Sequence, residues 1–144
     1  KPGFMISLQI VNFLEHQEAI QSVRLSVFTV EQGVDPALDL DGLDGTAYQI
    51  LVLDNDKPVA TGRMLADGHI GRIAVLPEYR KLGIGSRIMD RFISQARSDN
   101  LTKVFLGAQV SAVPFYETLG FRRYGEDYME ANIRHTPMQL MLDI

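Results

Sequence analysis

The chain has 144 residues, a formal net charge of −4 at neutral pH and no cysteine. The acidic balance argues against nucleic acid or an anionic membrane as the main partner, and the lack of cysteine excludes disulfides, thiolate metal ligands and a cysteine nucleophile. Ordinary globular composition, with no apolar run of transmembrane length and no signal peptide, predicts one domain across 1–144 in a reducing, cytoplasmic setting.

Ile6, Leu8 and Ile10 alternate with Ser7, Gln9 and Val11, so Met5 to Phe13 reads as a first strand. His16 to Val30 reads as a helix with Ala19, Ile20, Val23, Val27 and Phe28 on one side. Arg24 on that helix reads as a surface or ion-paired arginine. Gly33 and Pro36 end the helix after Glu31.

The run Asp39-Leu40-Asp41-Gly42-Leu43-Asp44-Gly45 resembles a calcium loop only superficially. Its third ligand is out of register, and Ile50 stands where the bidentate glutamate belongs. No metal site is expected. The run is either a solvated acidic loop or a negative rim, through Asp41 and Asp44, that attracts a cationic amine.

Ala47 to Leu53 and Pro58 to Ala66 read as strands joined by the turn Asp54-Asn55-Asp56-Lys57. Asp67-Gly68 turns the chain into a further strand, His69 to Leu76, with His69 on the surface. That strand feeds the basic loop Arg80-Lys81-Leu82-Gly83-Ile84-Gly85-Ser86. A helix follows, on which Ile84, Ile88, Phe92 and Ala96 repeat at every fourth position, with Met89 and Ile93 alongside. Strand, glycine loop and helix start together make an anion site. Glycines let backbone N–H groups approach a phosphate, and the helix N-terminus favours negative charge. The loop lacks the Gly-Lys-Ser/Thr of a Walker loop and the third glycine of a dinucleotide fingerprint, where Ile88 stands.

Lys103 to Ala108 reads as a buried strand, parallel to Ile70–Leu76 across the helical crossover. Val113 to Leu119 is a short helix ended by Gly120. Phe121–Tyr124 and Pro137–Leu142 are the last strands, separated by a polar loop, Gly125 to Thr136, that contains His135. The expected fold is mixed α/β: a mostly antiparallel sheet with one parallel strand–helix–strand crossover and flanking helices.

Two blocks carry a family resemblance. Arg80-Lys81-Leu82-Gly83-Ile84-Gly85 is similar to the Arg/Gln-x-x-Gly-x-Gly/Ala loop of the GNAT superfamily of N-acetyltransferases. Ala112-Val113-Pro114-Phe115-Tyr116-Glu117-Thr118-Leu119-Gly120-Phe121 resembles the second signature of that family. The first third, Arg24-x-x-x-Phe28-x-x-Glu31-Gln32 and the aspartate-rich loop, resembles a bacterial branch labelled ElaA-like or YjcF-like.

The resemblance implies acetyl-CoA as cosubstrate and no metal. Its pyrophosphate is expected on the backbone of Lys81, Leu82, Gly83, Ile84, Gly85 and Ser86 beside Arg80, and its pantetheine arm along Ile73, Ala74 and Val75, with a contact at Gln109. The Val75 N–H is expected as the oxyanion donor, and Tyr116 as the acid that protonates the leaving sulfur. An alkylammonium has a pKa of about 10.4, so a base is needed. Glu31 is the first choice, with Asp41, Asp44, His135 and a water chain as alternatives. The acceptor is a small-molecule or peptide amine, and homodimers are common among such proteins. Two other readings stay open: a longer-chain acyltransferase, because the Arg24/Phe28/acidic-loop pattern also resembles acyl-homoserine-lactone synthases, and a non-catalytic acyl-CoA-binding module.

Overall fold

The computed structural model describes residues 3–143. Strands β1 (Ile6–Val11), β2 (Tyr48–Asp54), β3 (Lys57–Met64) and β4 (Ile70–Val75) form an antiparallel sheet in that order. A second sheet has β5 (Lys103–Gln109) beside β8 (Ile133–Met141), with β6 (Arg122–Arg123) and β7 (Tyr128–Glu130) both paired to β8. This is the mixed, mostly antiparallel α/β fold that the sequence leads one to expect.

Helix α1 (Phe13–Arg24) starts earlier than His16, because the Asn12 side chain caps it by accepting the Glu15 N–H at 3.2 Å. The chain then widens into a π-helical segment, Leu25–Glu31, before Gly33 turns it at φ 75°. A short α2 (Pro36–Asp39) opens the acidic loop.

Helix α3 (Ile84–Ser98) buries the stripe Ile84, Ile88, Met89, Phe92, Ile93 and Ala96. These side chains meet Ile50, Val52, Val59 and Met64 of the first sheet and Val104 and Leu106 of the second in one core. The helix therefore ties together two sheets that scarcely touch along their own edges.

The crossover β4–α3–β5 is present, but its two strands are not neighbours along their length. They share one isolated parallel bridge, His69 to Phe105, where the Phe105 N–H donates to the Gly68 carbonyl at 3.1 Å. Beyond the bridge the strands part. A bulge in β4 begins there: Arg63 faces Gly71 and Thr61 faces Ala74, so Arg72 and Ile73 together oppose Gly62. Arg72 adopts φ 51°. A Cβ on Gly62 would lie 2.6 Å from Ile73 Cδ1, so the bulge depends on a glycine across from it.

The segment from Gly125 to Thr136 is not a loop throughout. Tyr128–Glu130 and the start of β8 form a hairpin around Ala131 and Asn132, both at positive φ (52° and 62°). Those angles suit a tight primed turn, reached here without the glycine that usually signals one. His135 consequently sits on a strand and is buried. Helix α4 (Val113–Thr118) packs beside the end of β5. Among the described residues, no helix is long and apolar enough to cross a membrane.

Phe92 is completely buried at the centre of α3. Phe92→Ala is expected to cost about 3–5 kcal/mol, read as a lower urea midpoint at unchanged m-value. A loss below about 1 kcal/mol would contradict its place between the two sheets.

Candidate active site

Where β4 and β5 part, a cleft of about 830 Å³ opens. A second cavity of about 420 Å³ lies over the glycine loop and the start of α3. Val75, Arg80, Gly85 and Phe115 line both, so the two form one continuous groove.

The loop cavity is lined by Lys81, Gly83, Ile84, Gly85 and Ser86. Lys81 (φ 63°) and Gly83 (φ 81°) hold left-handed conformations that turn the chain into α3. The first-turn N–H groups of a helix have no intrahelical acceptor, and α3 presents them here under two basic side chains. Gly85 leaves its space to Phe115, whose Cζ lies 3.3 Å from where a Cβ would be. Leu82, half exposed, is the one loop residue that lines neither cavity.

The walls of the cleft carry unused sheet edges. Leu76 N–H donates to Val59 O at 2.9 Å, toward β3. Backbone groups alternate along a strand, so those of Val75 face the opening. Its carbonyl accepts from Arg80 Nε at 2.9 Å. Phe105 N–H points toward β4, so Gly107 and Gln109 present their backbone groups to the same opening from the other side. Ile73 and Ala74 line the cleft with Val75, and the Ala74 side chain packs with Val23 and Val27 beneath α1. Gln109 also lines it, and its side chain donates to Gln32 Oε1 at 3.0 Å.

Tyr116 reaches the cleft from α4. Phe115 and Phe121 meet its ring edge-on at 5.0 and 5.9 Å. Burial pushes its hydroxyl up to about 12, so it holds its proton at neutral pH. Among the described residues that hydroxyl has no hydrogen-bond partner. His135 Nδ1 lies 2.7 Å from the Ile133 carbonyl. A carbonyl only accepts, so Nδ1 is the donor, and in the neutral ring the lone pair lies on Nε2. Tyr128 stacks on His135 at 5.5 Å, and its hydroxyl occupies the space a Cβ on Gly107 would need. Sequence reasoning missed Tyr128 altogether, since its hairpin reads as a polar loop. His69 is exposed, as expected, with its ring stacked on Phe105 at 4.8 Å.

The acidic loop is largely exposed, but its carboxylates at Asp39, Asp41 and Asp44 are paired with arginines. Arg24 is buried, 1% exposed, and donates to Asp44 at 2.8 Å and to Asp39 at 2.8 Å. Arg63 joins Asp44, at 3.1 Å, to Asp41. Arg72 pairs with Asp39 at 3.0 Å and Asp41 at 3.3 Å. Three aspartates are thus matched by three arginines. Burial raises the Asp44 carboxyl, but Arg24, Gln49 and Arg63 outweigh it and hold it below the usual range. Hydrogen bonding from Arg63 holds Asp41 lower still. Asp41 lines the cleft and Asp44 does not. Glu31 makes a two-pronged pair with Arg80, at 2.6 and 2.7 Å, which lowers its carboxyl. Among the described residues no group of acidic or histidine side chains is arranged to hold a metal ion.

The family model described as Acetyltransferase (GNAT) domain matches residues 16–142. The chain is 37% identical over 125 residues to the uncharacterized N-acetyltransferase YjcF of Bacillus subtilis, covering 84% of this chain and 88% of that protein. Among solved structures, Escherichia coli ElaA superposes with a TM-score of 0.82 at 30% identity, over 94% of this chain and 99% of that one. An acyl-CoA N-acyltransferase from Pseudomonas aeruginosa gives 0.79 at 27% identity, over 95% and 99%.

The ion-pair cluster supports the cleft wall, and its members differ in burial. Arg24→Met takes the two Arg24 bonds from the buried Asp44, leaving it Arg63 and Gln49, and is expected to cost about 3 kcal/mol in urea unfolding. Arg72→Met, at the part-exposed rim, is expected to cost about 1 kcal/mol or less. Equal losses would contradict this placement.

Proposed function

This chain belongs to the GNAT family of acetyltransferases, and from that premise we propose that it moves an acetyl group from acetyl-CoA to a primary amine by direct attack in a ternary complex. The observation that carries the reading is the continuous groove: a cavity at the α3 N-terminus, beside Arg80 and Lys81, opening into a cleft between the parted edges of β4 and β5.

The residues fit such a cosubstrate. Backbone N–H groups at Gly83, Ile84, Gly85 and Ser86, with Arg80 and Lys81, suit a diphosphate. The exposed edges of β4 and β5, at Ile73, Val75, Gly107 and Gln109, suit an extended arm with alternating amides. Acetyl-CoA supplies an acyl group already activated as a thioester, so the protein chiefly positions two reactants.

In the balanced reaction the amine nitrogen bonds to the acetyl carbon, the carbon–sulfur bond breaks, the amine gives up a proton and the sulfur gains one. The Val75 N–H faces the opening and is assigned to the developing negative charge on the carbonyl oxygen. Tyr116, protonated at neutral pH, is assigned to the sulfur. For the amine proton, Glu31 has both oxygens engaged by Arg80, and Asp41 and Asp44 are held by arginines. His135 lines the cleft with Nε2 bare, and it takes the role of base. Cytoplasmic location and a small-molecule or peptide acceptor accompany this reading.

A longer acyl donor is favoured by one observation. Phe28, Val34, Leu38 and Leu43 give the cleft an apolar side. Octanoyl-CoA turning over faster than acetyl-CoA would select that alternative.

The test is a thiol-release assay with acetyl-CoA over a panel of amines. Tyr116→Phe is expected to lower kcat about a hundredfold while leaving the acetyl-CoA Kd unchanged. Unaltered turnover would remove Tyr116 as the acid. His135→Gln is expected to lower kcat/KM about a hundredfold while leaving the acetyl-CoA Kd unchanged. A kcat/KM equal to the parent's would remove His135 as the base.

A further inference from the structure

Arg80 borders both cavities, yet its guanidinium is already engaged. Nη1 and Nη2 donate to the two Glu31 oxygens at 2.7 and 2.6 Å, and Nε donates to the Val75 carbonyl at 2.9 Å. A guanidinium offers two edges with paired donors, the end and the Nε side. Glu31 fills the end, and the Val75 carbonyl holds Nε of the side. Neither edge is left whole for a phosphate that binds two-pronged.

The Val75 carbonyl matters in its own right. It is a sheet-edge acceptor facing the opening, where the amides of an extended arm would pair. Arg80 covers it. Glu31 itself is delivered by the π-helical segment, whose next residue, Gln32, holds Gln109 on β5. The segment is therefore fastened to both lips of the cleft through Arg80 and Gln109.

Resting on the acetyl-CoA reading above, we infer that Glu31 determines which pantetheine thioesters enter. Glu31 and the Val75 carbonyl hold Arg80 as a stand-in, and a diphosphate in the loop cavity draws Arg80 away from both. A diphosphate brings more charge and more acceptor oxygens than one carboxylate, so it wins the guanidinium. A pantetheine arm without a diphosphate has nothing to offer Arg80 and finds the Val75 carbonyl covered. The site thus selects CoA thioesters over bare pantetheine thioesters. Glu31 is a positioning residue in this account, acting through Arg80.

The experiment is calorimetric titration of the whole chain, as parent, Glu31→Gln and Arg80→Ala, with CoA and with pantetheine. Melting temperatures confirm that each variant is folded. A carboxamide presents one donor where the carboxylate had an acceptor, so it faces Nη with the wrong group. Glu31→Gln is expected to bind CoA about two- to fivefold more tightly, the worth of a part-exposed ion pair. Arg80→Ala is expected to move the two ligands in opposite directions: CoA about tenfold weaker, with a shallower salt dependence, and pantetheine tighter. CoA affinity unchanged or weakened in Glu31→Gln would overturn the inference. So would pantetheine binding no tighter in Arg80→Ala than in the parent. If the parent binds no CoA, the acetyl-CoA reading itself falls, an outcome distinct from either.

Discussion

The rest of the structure depends on a constraint at one strand junction: β4 and β5 meet at the His69–Phe105 bridge and then separate. Two features enforce the separation. The bulge at Arg72 and Ile73 pushes β4 out of line, and it fits because Gly62 leaves room for the Ile73 side chain. Beneath, α3 spans both sheets with its apolar stripe, so the sheets stay in one core without a continuous ladder. The backbone groups left unpaired at the parted edges would be costly if sealed from both water and ligand. In an open cleft they stay accessible to water or a ligand.

Charge beside that cleft is locally balanced. A buried arginine such as Arg24 is tolerable only with its partners in place. Asp39 and Asp44 supply them, while Arg63 and Arg72 complete the balance. The aspartate-rich loop is thus architecture: through its ion pairs it braces α1 against β3 and β4. Under the proposed reading, the chemistry falls to the Tyr116 hydroxyl, His135 Nε2 and the Val75 N–H.

Much of this was legible in the residues. The spacing of Ile84, Ile88, Phe92 and Ala96 shows the buried face of α3, and the glycine loop before it marks where a cavity lies. Elements whose determinants are distant in sequence were not. Arg24 reads as a surface or ion-paired arginine; its ion pairs are present, but its burial was not legible because the aspartates that make it possible lie beyond two turns and a loop. The hairpin at Tyr128–His135 was hidden because Ala131 and Asn132 take positive φ without a glycine to announce it. Tyr128 itself depends on Gly107, on another strand, for the space its hydroxyl fills. The π-helical segment was likewise hidden, since Ala19 to Phe28 fit ordinary helical spacing, and with it the pairing of Glu31 to Arg80.

The central claim is that the groove from the α3 N-terminus into the β4–β5 cleft holds acetyl-CoA. Calorimetric titration of the parent protein with acetyl-CoA, CoA and NADH tests it most directly. The account predicts micromolar binding of the first two and none of NADH, because the loop lacks a dinucleotide fingerprint. No binding of either CoA species, or NADH binding as tightly, would mean that the glycine loop serves another anion.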